Sequence, residues 1–194
     1  MWCVKPDGQR QWCRRTPKSG GGNKMPLYGL DLLGDRPGDP VLVVEGEKAA
    51  DAGRRLVGDA FVVVGWPGGG NSVKFADWSP LAGRDVTLWP DADKKVWPDR
   101  HEDAGKIRPA ALQPGAIAMN NVADLLRRAR AADIRIVDVS DARLAADGWD
   151  LADAEAEGWG ATDVTDYIGD HAAPYDESAA AKTKWPATFP GGHS

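Results

Sequence analysis

Cysteine is scarce in this chain of 194 residues: only Cys3 and Cys13 occur. A small secreted fold stapled by disulfides uses more of them, and a Cys pair with no two further ligands close by makes a poor zinc site. Histidine is equally thin, with His101, His171 and His193 scattered in polar stretches that suggest no catalytic role. Long hydrophobic runs are missing as well. The start lacks a continuous apolar leader and no later stretch reaches bilayer-spanning length, so the expectation is a soluble cytoplasmic protein with no membrane partner. An excess of basic charge is also absent, since 24 Lys and Arg face 29 Asp and Glu for a formal net charge of -5. That balance excludes a uniformly basic nucleic-acid coat and leaves room for a local basic patch.

What the chain does have is enough apolar material, 42% of its residues, for one sizeable core. Val41-Leu42-Val43-Val44 is a short β-branched run that stops abruptly at Glu45-Gly46-Glu47-Lys48. Such a run reads as a buried parallel strand that delivers Glu45 to its carboxyl end, where open α/β sheets place their chemistry. Ala60 to Val64 is a second strand opening into Gly65-Trp66-Pro67-Gly68-Gly69-Gly70. The glycine cluster is either a tight strand-to-helix turn or a close approach to phosphate, and no Walker-type lysine and serine accompany it. Arg84 to Trp89 is a third strand, ending at Pro90 with Asp91 and Asp93 directly behind. Ile134 to Val137 is a fourth, ending in Asp138. Between them, Glu47 to Val57 and Ala116 to Ala131 show helical periodicity, with Gly58 closing the first. Strand, helix and strand in repetition predict a mostly parallel α/β sheet of about four strands covered on both faces.

The flanks are of different character. Around Pro6-Asp7-Gly8-Gln9 the first residues suggest a hairpin bearing Trp2 and Trp12. Lys5, Arg10, Arg14, Arg15, Lys18 and Lys24 meet Asp7 alone as an opposing charge before Asp31. Cations interleaved with aromatics compose a surface for single-stranded nucleic acid; a solvated hairpin with its tryptophans packed inward accounts for them equally. Ser19 to Asn23 and Gly34 to Pro40 read as connectors, which puts the expected divisions at 1–40, a main domain at 41–170 and a tail at 171–194. Lys94 to Gly115 is a long polar segment beside the expected crevice, the kind of loop that is often functional. Lys74 to Leu81 suggests a short helix or irregular cover anchored by Trp78. Asp150 to Glu157 and Thr162 to Ile168 suggest two short acidic helices capped by Asp150 and Thr162.

Taken together, these motifs resemble the Toprim domain of bacteriophage and plasmid DNA primases, particularly the primase-helicases. Val41 to Lys48 is similar to that family's strand-Glu-Gly motif, and Trp89-Pro90-Asp91-Ala92-Asp93 to its Asp-x-Asp motif. Pro67-Gly68-Gly69 and Gly148-Trp149-Asp150-Leu151-Ala152-Asp153 are family-like too. The resemblance, from Val41 to about Ile168, implies that Glu45, Asp91 and Asp93 bind Mg²⁺, with Mn²⁺ as a substitute, and that Glu45 also serves as general acid or base. Lys48, Gly68, Gly69, Arg14 and Arg15 are candidates for phosphate or nucleic-acid contact. Single-stranded DNA template, nucleoside triphosphates and a replicative helicase are the partners implied. Carboxylates alone suit the hard Mg²⁺ ion, which is held by a few acids plus substrate phosphates.

The chain departs from the family in three respects. Ala49 stands where many members have a further acid, with Asp51 as a possible stand-in. A polar insertion follows Asp93 before Ala104-Gly105-Lys106. Neither a four-ligand zinc module nor a Walker motif flanks the domain. The expectation is therefore nucleotidyl transfer making RNA primers, as part of a primase; a Mg²⁺-dependent nuclease and a non-catalytic binding module are the alternatives. Asp138 is placed as an outer member of the acid cluster or a loop residue.

Overall fold

The computed structural model describes residues 2–4, 10–12 and 24–178 apart from 142 and 145. The first two segments, β1 (Trp2–Val4) and β2 (Arg10–Trp12), pair antiparallel with Trp2 opposite Trp12, as the expected hairpin requires. Its turn, together with Arg14, Arg15 and Lys18, lies outside the described residues, as does His193.

The body is built on β3 (Val41–Glu45), β4 (Val62–Trp66), β5 (Asp85–Trp89), β6 (Asp133–Val137) and β7 (Ala172–Pro174) in the order β4-β3-β5-β6-β7. The first four are mutually parallel and β7 runs antiparallel to β6. The result is a Rossmann-like α/β sheet with five strands where the sequence suggested four. The three-residue β7 carries no periodic signal. It falls in the stretch expected to be tail and ends in Pro174, a residue tolerated at a sheet edge because it has no N–H to offer. Beyond it the Tyr175 hydroxyl donates to Asp124 Oδ1 at 2.7 Å, and Glu177 pairs with Arg127.

Successive strand residues point to opposite faces, and both faces are buried, which is why the strands read as unbroken apolar runs. Val41, Val43, Val62, Val64, Val86 and Leu88 enter one core beneath α3 (Pro114–Ala129), joined by Met119, Val122 and Leu126. Leu42, Val44, Val63 and Trp89 enter the other, covered by α2 (Gly46–Val57), α4 (Leu151–Ala156) and α5 (Ala161–His171). This second core is aromatic: Trp89 lies 6.4 Å from Trp149 and 5.4 Å from Tyr167, and Trp159 lies within 5.6 Å of Tyr167. Asp150 caps α4 through a full capping box with Asp153, whereas α5 starts at Ala161 behind Gly160 instead of being capped by Thr162. The Lys74–Leu81 cover consists of two 3₁₀ segments, Gly70–Phe75 and Ser79–Leu81, with Trp78 buried between them.

Residues 24–40 are not a linker. Met25 bridges to Ala76 and Tyr28 to Gly65, and a short helix, α1 (Leu30–Asp35), sets Leu33 into the first core beside the buried Leu27. Arg84, itself buried, donates to the carbonyls of Arg36 and Asp39 and ties the Gly-Pro-rich stretch down. Packing therefore begins upstream of Val41. Leu33→Ala should cost about 2–4 kcal/mol in urea unfolding, the usual range for a truncated core leucine, where a linker residue would cost almost nothing.

Candidate active site

The sheet decides where the acids meet. From β3 the chain steps outward to β4, then crosses back over β3 to β5, so the connections part in opposite directions between β3 and β5. Crevices outside the carboxyl ends of strands at such a switch point are where open α/β sheets bind ligands. Glu45 is the last residue of β3 and Asp91 lies two residues beyond β5, so the two sit on opposite lips of that crevice. Glu45, Asp91 and Asp93 line one cavity of about 540 Å³ with Gly70, Asn71, Arg108 and Asn121.

Each acid is aimed by backbone. Helix α2 begins without any loop after Glu45, through Gly46 at φ 80°, a left-handed turn that suits a residue with no Cβ. The glycine turn after β4 is fastened by Trp66 Nε1 donating to the Gly69 carbonyl at 3.0 Å and by Ser72 Oγ donating to those of Pro67 and Gly69. So held, the Gly70 N–H donates to Glu45. Gly68 and Gly69 thus belong to a turn that supports Glu45, in keeping with the strand-to-helix reading of that cluster. Asp93 Oδ2 accepts from the Gly115 N–H in the first turn of α3 at 2.7 Å. The fit there is close, since a Cβ on Gly115 would lie 2.4 Å from the Asp91 carbonyl oxygen.

A fourth acid joins them. Ala92 pairs with Trp149 in an isolated bridge, Ala92 N donating to the Trp149 carbonyl at 2.9 Å and Gly148 N to that of Ala92 at 3.0 Å. This seats Asp150 near enough to act on Asp91 electrostatically. Lys48, largely exposed, reaches Asp150 at 3.3 Å, and Lys95 spans Asp93 at 3.7 Å and Asp147 at 2.6 Å. Lys48 is therefore tied to a carboxylate at the rim.

Burial, and then the charges of Glu45, Asp150 and Asp93, push Asp91 up to about 8, with Lys48 opposing. Burial also raises Glu45, offset by the Gly70 hydrogen bond and reinforced by Asp93. Among the described residues no three His, Cys, Asp or Glu side chains stand close enough to make a ready-built metal cage. Mg²⁺ does not demand one, because it keeps several waters and takes one or two carboxylates directly. The carboxylates in this cavity are donors of the kind that mode uses, and Glu45, Asp91 and Asp93 are the residues from which one or two would hold an ion directly.

Other sequence candidates fall elsewhere. Asp51 accepts from the Tyr28 hydroxyl and Arg54, and Ala49 is buried in the second core, so neither supplies a further acid to the cavity. Asp138 shares another cavity, of about 330 Å³, with Asp91 and Asp93 but not with Glu45, an outer position relative to the three acids. His171 stacks on Tyr167 and His101 on Trp97. The 94–113 stretch is ordered by a Val96–Ile107 bridge and by buried Gln113, whose amide joins the backbone of Lys95 and Arg108. It supplies Pro98 and Arg108 to the acid-lined cavity.

Fold and cavity together define an α/β protein of Rossmann-like build with an acid-lined crevice at its switch point. Comparisons with protein-family models, curated proteins and solved structures return no match for the chain.

Two outcomes follow from this geometry. A carboxyl raised by folding contributes stability in full below the ordinary carboxylate range and loses it as pH climbs toward about 8. Without divalent cation, thermal unfolding of the wild type should therefore fall between about pH 4 and pH 8 by a few kcal/mol. Asp91→Asn should lose much less over that interval and coincide with wild type at its acid end; parallel curves would count against a strained Asp91. Gly115→Ala should lower stability by about 1–3 kcal/mol, because the added methyl has to force α3 off Asp91, and should halve or worse any Mg²⁺-induced rise in melting temperature.

Proposed function

We propose that the chain carries out Mg²⁺-dependent nucleotidyl transfer as a primase-type Toprim domain, making RNA primers on single-stranded DNA from nucleoside triphosphates. The observation that carries this reading is the meeting of Glu45 with Asp91 and Asp93 in one cavity at the switch point, although the first two stand 46 positions apart in the chain. Lone strand-end acids are explained by turns and caps; acids from separate strands sharing one crevice are not.

A bound Mg²⁺ would neutralise charge on the attacked phosphate and orient the attacking and leaving oxygens. The chain's own residues do the rest. Asp93, fixed by the Gly115 N–H, and Asp91, pinned by the first turn of α3, hold their carboxylates at the floor of the cavity. Glu45, steadied by Gly70 and raised by burial, is suited to take a proton from an attacking hydroxyl and release it to solvent. Arg108 at the rim of the same cavity supplies positive charge toward a phosphate.

The test is a pair of assays with Mg²⁺ or Mn²⁺, one for primer synthesis on single-stranded DNA and one for nicking of a plasmid. Primer products from the wild type, lost by at least about 100-fold in Glu45→Gln and Asp91→Asn with the fold intact, are expected from removal of charge at nearly constant shape. Nicking without primers moves the same acids to nuclease chemistry. Products in neither assay overturn the enzymatic reading.

A further inference from the structure

The acid-lined cavity has an electrostatic difficulty if its substrate is a nucleic acid, because four carboxylates around a crevice repel phosphates except where a cation intervenes. A second cavity, of about 360 Å³, adjoins the first and shares Gly70, Asn71 and Asn121 with it. Its walls add Lys74 from the 3₁₀ segment after β4 and Arg128 from the last turn of α3.

Among the described residues many cations are spent on carboxylates, as in Arg36 with Asp39, Arg55 with Glu155, Lys106 with Asp103 and Arg143 with Asp141. Lys74 and Arg128 are both exposed and make no salt bridge among the described residues. The ammonium of Lys74 lies 5.1 Å from the Phe75 ring centroid, and Lys24 donates to the Lys74 carbonyl at 3.4 Å. The acid of the groove, Asp124, is engaged by the Tyr175 hydroxyl. Two amides at the junction and two cations beyond it make a donor set of the kind that phosphate and sugar oxygens accept from.

We propose that this groove, with Asn71 and Asn121 at its mouth and Lys74 and Arg128 along it, binds the phosphate backbone of a single-stranded nucleic acid and feeds it past the acids. The assignment rests on the reading of the acid cavity as a phosphoryl-transfer site, and it adds the side from which the strand arrives. Binding there is electrostatic and indifferent to sequence.

Fluorescence anisotropy of the full chain with a labelled oligothymidylate of about 20 nucleotides, in EDTA and across a salt series, tests it apart from catalysis. Lys74→Ala with Arg128→Ala should weaken binding by about tenfold and reduce the slope of log K against log salt by about 1.4, roughly 0.7 for each lost phosphate contact. Lys74→Arg with Arg128→Lys should stay near wild type, and Arg135→Ala, exposed in the middle of β6, should change nothing. Unaltered affinity and slope in the double alanine variant, or no binding by the wild type, overturns the groove. Groove-dependent binding by a wild type that yields no product in either Mg²⁺ assay upholds the groove and removes the catalytic reading. Primer synthesis with groove-independent binding does the reverse.

Discussion

Gathering like charges in a half-buried crevice is unfavourable, and everything around Asp91 is arranged so that the chain has no easy way to relieve it. Relaxation would require the carboxylates to swing apart into water. Glu45 is held by strand β3 on one side and the Gly70 N–H on the other, Asp93 by the first turn of α3, and Asp150 by its own capping box. Burial first, and the neighbouring carboxylates second, leave Asp91 with a carboxyl that prefers its proton well above the ordinary range. A hard cation held in such a crevice would relieve that crowding by satisfying the carboxylate oxygens directly. The two lysines that do approach, Lys48 and Lys95, sit at the rim and are shared with Asp150 and Asp147.

The sheet supplies the rigidity this needs. Buried strands on both faces leave β3 and β5 no freedom to separate, and their parallel register from Val41 opposite Val86 to Val44 opposite Trp89 sets the depth at which the two acidic ends emerge. The aromatic core does a second job. Trp149 is wholly buried and stacked near Trp89, with its indole N–H donating to Glu157, so the residue that immediately precedes Asp150 is anchored at the centre of the fold. The acid contributed from farthest along the chain is thereby tied as firmly as those at the strand ends.

Much of this was legible in the sequence, for identifiable reasons. Strands buried on both faces announce themselves as continuous β-branched runs, and an acid that ends such a run is conspicuous, which is how Glu45, Asp91 and Asp93 stand out. Asp150 is not conspicuous, because its capping role is complete within its own helix and its approach to Asp91 depends on the Ala92–Trp149 bridge, a contact between distant segments. The stretch from Gly34 to Pro40 has a linker's composition, yet Arg84 reaches across to bind its carbonyls, and no local pattern foretells that. Strand β7 is too short to show a period, and its pairing is dictated by the open edge of β6.

The polar walls of the crevice differ from its floor in a way that bears on what it handles. The floor is fixed by backbone and core, whereas the walls come from the 94–113 stretch, which gives Pro98 and Arg108, and from α3, which gives Ile117 and Asn121. On the reading proposed for this site, rigid acids would keep the geometry of an ion constant, while surface side chains such as Asn71 and Asn121 would adjust to a flexible chain of phosphates. A small rigid metabolite would be better served by an enclosed pocket with fixed donors on every side. If the site acts as proposed, a fixed acidic floor beside a rim that carries Arg108 and Asn121 suits a polymer that passes through better than a compact ligand that is engulfed.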